Sequence, residues 1–357
     1  TGLIRFSNFA ATTHQEVVEA IRKLKGQGMK NLILDVTQNG GGFLQAAAEI
    51  ASEFLPQGDM IVYTKGRAFK QQEFRSRGGN AFQEGKVIIL VDEYSASAAE
   101  ILAGAIQDQD RGLVVGRRTF GKGLVQRPVD LPDGSMIRLT ISKYYTPSGR
   151  CIQAYDYRHL NPNGSVGTRP DSLTKVFHTA SGREVRDGGG IKPDMEIKPD
   201  SLPTLIYDLV SSDAFFDFAT QYVLEHETIA QPGEFALSDE DYAKFTDFVC
   251  ASGFKYNRRS DNVLDLFHDV AKREGYLEAI ENDLKALRSK LNTDLRADLV
   301  RFREKIEPYV CDELMRRYYF QKGSIRQMLV KDPCTERALE LLSDPKTMWQ
   351  KVQEKQT

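Results

Sequence analysis

No apolar run in this chain approaches the ~18 residues that a membrane-spanning helix needs, and no signal-type segment opens it. Cysteine is scarce: Cys151, Cys250, Cys311 and Cys334 are scattered, without the close pairing to cysteine or histidine that a structural zinc site requires. Four buried free thiols are therefore expected. A charge excess is missing too, with 48 lysines and arginines against 50 aspartates and glutamates, so no broad field draws in nucleic acid or an anionic membrane. Repeats and low-complexity stretches are absent. What is present is the composition of an ordinary globular protein, 357 residues long and so able to build two domains with a core each. The chain begins at Thr1, without methionine, just before the strand-like Leu3-Ile4-Arg5-Phe6, which suggests a fragment whose upstream part is missing.

Thr13-His14-Gln15-Glu16 has the form of a capping box, and Val17, Val18, Ile21 and Leu24 follow at helical spacing until Gly26 and Gly28. Asn31 to Val36 reads as a buried strand, followed by the turn Asn39-Gly40-Gly41-Gly42 and a helix that Pro56 closes. Further strands are expected at Met60 to Thr64, Lys86 to Val91 and Leu113 to Val115, with a helix from about Ser97 to Asp108. The continuous apolar run at 86–91 suits a strand covered on both faces. Strands and helices alternating at this density predict an α/β core with a mixed, mostly parallel sheet. Two alternating strands around Pro132-Asp133-Gly134 add a β-hairpin extension, and a polar excursion spans about 152–186. Beyond Pro203 glycine thins out. Ile280, Leu284, Leu287, Leu291, Leu295, Leu299, Phe302 and Ile306 form one long stripe, and Asp332-Pro333 opens a last helix. The expected division is a core at 1–202 and an all-α domain at 203–357, with the boundary near 200–203.

Two segments concentrate the chemistry: Tyr94-Ser95-Ala96-Ser97-Ala98-Ala99-Glu100 and Thr119-Phe120-Gly121-Lys122-Gly123. A serine hydroxyl becomes a useful nucleophile when a base takes its proton, and a lysine serves as that base once burial keeps its amine neutral. Ser97 follows a buried strand and starts a helix, where free N–H groups point outward, so the Ala98 N–H is a natural oxyanion donor. A lone serine there is ordinarily just an N-cap; the small residues around it leave room for a polypeptide to approach the backbone. Lys122 lies between glycines without an adjacent acid, and a bare lysine in such a turn is ordinarily a solvated charge. If the segment is extended, Gln126 lies on the same side as Lys122 and its amide can hold the amine in line. The glycines at 40–42 form an anion nest that adds a second oxyanion donor, so nucleophile, base and hole are all represented.

As a set these residues resemble the C-terminal processing, or tail-specific, serine peptidases. The match runs through Leu34-Asp35-Val36, Asn39-Gly40-Gly41-Gly42, the Ser97 segment through Ile101, Val114-Val115-Gly116, Thr119 to Gly123 with Gln126, Tyr145-Thr146-Pro147-Ser148-Gly149, and Gly189-Gly190-Ile191 with Pro193-Asp194. It covers about residues 3–200. The resemblance implies Ser97 as nucleophile, Lys122 as general base, Gln126 as the residue orienting the lysine, and the Ala98 and Gly41 N–H groups as oxyanion hole. It further implies a crotonase-like fold, a substrate bound as an added strand, no metal or cofactor, and a PDZ domain, here expected upstream of Thr1. Members of the family are commonly exported to the periplasm or cell envelope and trim proteins from near the C-terminus; the resemblance does not extend with like specificity to the helical part after residue 203, for which packing on the core, homo-oligomer contacts and restriction of access are all open. Thr37 stands where the family usually has arginine, and Ala99 where serine is frequent.

Two rivals remain open from the residues. Gly116-Arg117-Arg118-Thr119-Phe120-Gly121-Lys122-Gly123 is one residue from a P-loop, but Gly123 replaces the magnesium-binding Ser or Thr and the continuation is strand-like. A non-catalytic scaffold that binds peptide tails is the other. A histidine triad is disfavoured, because His14, His159, His178, His226 and His268 accompany no nucleophile motif.

Overall fold

Val87-Ile88-Ile89-Leu90-Val91 carries apolar side chains on both faces of its pleat, so a strand made from it needs cover twice. The computed structural model describes residues 1–344 apart from 80, 161–162, 169, 199–200, 257 and 292–293. In chain order the first unit contains β1 (Gly2–Arg5), α1 (Thr13–Gly26), β2 (Leu32–Asp35), α2 (Leu44–Ser52), β3 (Met60–Lys65), β4 (Gln72–Arg75), β5 (Val87–Val91), α3 (Ala98–Asp108), β6 (Leu113–Gly116), β7 (Leu124–Asp130) and β8 (Met136–Tyr145). The polar excursion folds into two small antiparallel pairs, β9 (Tyr155–Leu160) with β10 (Val166–Thr168) and β11 (Val176–His178) with β12 (Glu184–Arg186); β13 (Met195–Glu196) follows.

Five strands in the order β1-β2-β5-β6-β13 form a wholly parallel sheet. Register places Leu34, Ile89 and Val114 side by side, and one residue away Ile33, Ile88 and Leu113 side by side on the opposite face. The first row packs into the cluster made with α1, α2 and α3. The second is covered by Cys334, Ala338, Leu341 and Leu342. Hairpin β7–β8 joins β3 and β4 in a separate antiparallel sheet, β4-β3-β8-β7. The expected single mixed sheet is thus two sheets: β3 finds its backbone partner in β8, where Tyr63 stacks on Tyr145 with ring centroids 4.9 Å apart.

The second unit, Asp200–Asp332, contains α4 (Thr204–Val210), α5 (Ala214–Glu225), α6 (Asp239–Ala251), α7 (Arg259–Glu274), α8 (Leu277–Leu291), α9 (Leu295–Arg301) and α10 (Arg303–Met328). Its core gathers Phe215, Phe218, Tyr242, Phe245, Leu299, Ile306 and Leu314. The long stripe is cut, because Asp294 caps α9 by accepting from the Ala297 N–H at 2.6 Å. Residue 200 of the expected boundary lies outside the described residues. The last helix, α11 (Pro333–Ser343), packs within the first unit, against the sheet. It supplies the second cover that the sheet requires.

Two local expectations also change. Thr13 does not cap α1; its hydroxyl accepts from the Ala10 N–H at 3.0 Å and donates to Asn8 O at 3.3 Å, tightening the preceding loop. None of the four cysteines is in a disulfide, but only Cys311 and Cys334 are buried; Cys151 and Cys250 are half-buried.

Candidate active site

In an open parallel sheet, ligands bind beyond the carboxyl ends of the strands. The neighbours β2, β5 and β6 deliver three loops there, 37–42, 92–97 and 117–123, and these loops hold one another. Asp92 accepts from the N–H groups of Gln38, Tyr94 and Ser95, each at 3.0 Å. Ser95 is buried and donates its hydroxyl to Val36 O at 2.8 Å, so it is a latch between loops. The Ala96 N–H donates to Asn39 O at 2.9 Å, and the Phe120 N–H to Ser95 O at 3.1 Å.

Ser97 is the N-cap of α3, half-buried, with φ 57° and ψ −110°. Positive φ on a residue with a Cβ is strained by about 1–3 kcal/mol and persists only where the surroundings hold it. Close packing explains part of that hold: a Cβ on Gly41, whose φ is +100°, would come within 2.7 Å of Ala96 O, 2.8 Å of Ser97 Cβ and 3.0 Å of the Ala98 nitrogen. Glycine is therefore required at 41 for the loop to lie against the Ser97 and Ala98 backbone. The Gly41 N–H, expected in the oxyanion hole, instead donates to Asn39 Oδ1 at 2.9 Å. Asn39 is fully buried and also donates to Phe6 O at 2.9 Å.

The Lys122 loop is fixed by its main chain. Ser97 N–H and Lys122 N–H both donate to Glu100 Oε2, at 2.8 and 2.9 Å. Gly121 N–H and the Thr119 hydroxyl donate to Oε1, at 2.7 and 2.6 Å. On the carbonyl side, the Tyr144 hydroxyl donates to Lys122 O and reaches Ser97 O at 3.3 Å. The two chemistry-bearing segments are thus brought together at the backbone. The Lys122 side chain is exposed, however, so the sheltered amine expected from sequence is not provided by the fold as it stands. Gln126 is exposed on β7, which starts two residues after Lys122 and carries a bulge between Val125 and Gln126.

Glu100 and Tyr144 were not singled out as site residues by sequence, although Ser97-x-x-Glu100 has the spacing of a capping box. Both are buried. Burial pushes the Glu100 carboxyl above its ordinary value, against its bonds to Thr119, Lys122, Ser97 and Gly121, which pull it down. Burial first, and then the Glu100 charge, holds the Tyr144 phenol well above its usual range, so it remains a donor.

The same loop disposes of the phosphate cradle. The N–H groups of Arg117, Thr119 and Phe120 donate to Val91 O, Ile191 O and Ser95 O, and Gly123 donates to Gln153 Oε1 at 2.8 Å. With Gly121 and Lys122 committed to Glu100, the amides that a P-loop offers to phosphates are spent inside the fold, and a strand follows in place of a helix. His14 pairs with Glu53 at 2.8 Å, His226 with Tyr222 O and His268 with Asp269, while the side chain of His159 lies outside the described residues.

Residues 1–171 match the model of peptidase family S41, and residues 205–342 match that of the probable PDZ-protease C-terminal helical domain. The carboxyl-terminal-processing protease of Synechocystis sp. is 45% identical over 174 residues, 49% of this chain and 38% of that protein. The chloroplastic C-terminal processing peptidase of Tetradesmus obliquus is 38% identical over 204 residues, 57% of this chain and 36% of that protein. Among solved structures, the photosystem II D1 C-terminal processing protease matches with 30% identity over 57% of this chain and 43% of that one, at a TM-score of 0.44. The chain spans under two-fifths of the length of these two curated relatives.

Proposed function

Residues 1–171 belong to peptidase family S41, and from that premise we propose that the protein is a serine endopeptidase that cleaves protein substrates near their C-termini. Ser97 Oγ attacks the scissile carbonyl and Lys122 Nζ takes its proton, then passes it to the leaving amine as the peptide C–N bond breaks; water, losing a proton to the same amine, attacks the acyl-enzyme, and the ester C–O bond breaks to free the new C-terminal acid and return the proton to Ser97 Oγ. The Ala98 N–H, at the start of α3, stabilises the oxyanion, and the Gly41 N–H joins it once Asn39 Oδ1 is displaced. Gln126 steadies the lysine. The observation that carries the reading is the Glu100 carboxylate oxygen shared by Ser97 N–H and Lys122 N–H, which keeps nucleophile and base on adjoining backbone.

An amine acts as a base when it is unprotonated, and loss of hydration favours that form. Because Lys122 is exposed, a substrate paired as an added strand along β7, the edge strand that starts two residues after Lys122, supplies the missing cover. In this reading the core is crotonase-like, a PDZ domain holds the substrate tail, and the protein works in the periplasm or cell envelope of a bacterial source.

Exposure of Lys122 favours one other reading, a scaffold of the same fold that binds tails without cleaving them. A fluorophosphonate probe separates the two. Labelling of the wild type that disappears in Ser97→Ala and falls steeply in Lys122→Ala supports the peptidase. An unlabelled wild type that still binds peptides through a free C-terminus supports the scaffold.

A further inference from the structure

A glutamate that merely caps a helix needs one N–H from that helix's first turn and leaves its other oxygen to water. Glu100 is fully buried, and three of its four donors come from the loop after β6, which is another part of the chain. Tyr144 comes from β8, in the other sheet, and its hydroxyl meets the carbonyls of the same two residues whose amides Glu100 holds. An acceptor-only carboxylate thus gathers the N–H groups of Ser97 and Lys122, and a phenol with a single O–H donates to the Lys122 C=O while lying 3.3 Å from that of Ser97. Residue 97 is the strained one in its segment, with φ 57°; Glu100 holds its N–H, and its C=O, which accepts the helix bond from the Ile101 N–H at 3.0 Å, lies 3.3 Å from the Tyr144 hydroxyl.

We propose that Glu100 and Tyr144 are a positioning pair that sets the distance between the nucleophile of Ser97 and the base of Lys122, acting through the main chain. The proposal rests on the serine peptidase reading for its catalytic consequence, but its structural content stands apart. Tyr144→Phe keeps the ring and removes only the O–H; Glu100→Gln keeps the size but turns an NH₂ toward N–H donors.

The test measures kcat and KM on a fluorogenic peptide with a free C-terminus, the fluorophosphonate labelling rate, and hydrogen exchange over 94–98 and 119–124. Tyr144→Phe should lower kcat by about 10²-fold, the usual effect of a misplaced reacting group, with KM changed less than about twofold. Adding Tyr144→Phe to Lys122→Ala should cost little beyond Lys122→Ala alone, because both act through the same element. Exchange in both segments should rise together in Tyr144→Phe and in Glu100→Gln. Wild-type kcat in Tyr144→Phe, or losses that multiply in the double variant, would overturn the proposal. If the wild type itself shows no Ser97-dependent labelling, the peptidase reading fails; unchanged exchange in the two segments then sinks the positioning pair, and a joint rise upholds it. If Glu100→Gln does not fold, Tyr144→Phe alone decides.

Discussion

Ser97 and Lys122 donate their backbone N–H groups to one and the same oxygen, Glu100 Oε2, at 2.8 and 2.9 Å. Their relationship is therefore fixed at the level of the main chain, while Lys122 as a residue is exposed. A site of this kind has a rigid frame and one long side chain whose final placement depends on what covers it.

Two adjacent glycines test the frame. A Cβ at Gly40 meets nothing within 4 Å, whereas one at Gly41 collides with Ala96 O, Ser97 Cβ and the Ala98 nitrogen. Gly40→Ala should stay within about 0.5 kcal/mol of wild-type stability. Gly41→Ala should lower turnover by about 10²–10³-fold, as loss of an oxyanion donor does, with little change in KM. Steady-state kinetics beside urea unfolding check both, and equal behaviour of the two variants would refute the assignment.

Asn39 ties the glycine loop to both Phe6 O and the Gly41 N–H from a fully buried position. Asn39→Ala leaves those groups without their partner and should cost about 1–3 kcal/mol in chemical denaturation. A change of a few tenths would show that the loop does not depend on it.

The Glu100 carboxyl has a folded-state pKa raised above its unfolded value, chiefly by burial. Its contribution to stability is then fully present below the ordinary carboxylate range and is lost as pH rises through the raised value. The stability advantage of wild type over Glu100→Gln should accordingly be largest in acid and shrink toward neutral pH. Unfolding measured across that window checks it; an advantage that grows with pH has the wrong sign.

Arg150 and Asp108 form a buried ion pair at 2.7 Å, with side chains 1% and 0% exposed, and Arg150 also donates to Gln107 Oε1 at 2.7 Å. Arg150→Met strands a buried carboxylate at the end of α3 and should cost about 3–5 kcal/mol. The double change Arg150→Met with Asp108→Leu should recover part of that loss, which thermal unfolding of the two variants will read.

Strand 87–91 was legible because an unbroken apolar run demands two covers, and Leu113 to Val115 was legible for the same reason. Which helix supplied the second cover was not, since an apolar stripe at helical spacing marks a face to be buried without naming the surface it packs on. Met60 to Thr64 read correctly as a strand, yet its pairing with β8 depends on residues some eighty positions away. Ser97 and Lys122 were marked by their small neighbours. Glu100 was hidden by its local role, for a helix N-terminus gives such a glutamate an ordinary reason to be there.

By itself the sequence determined the kinds of group on offer, an alcohol at a helix start, an amine in a glycine turn and a glycine loop, because each is written in a stretch no longer than a turn or a strand. Only the tertiary structure decided that Ser97 and Lys122 share a carboxylate oxygen, that the Tyr144 hydroxyl donates to Lys122 O beside the Ser97 carbonyl, and that the Gly41 amide is taken by Asn39. Hydrogen bonds that bridge 22 or 47 residues exist only after the chain has closed those loops, and no local pattern carries their geometry.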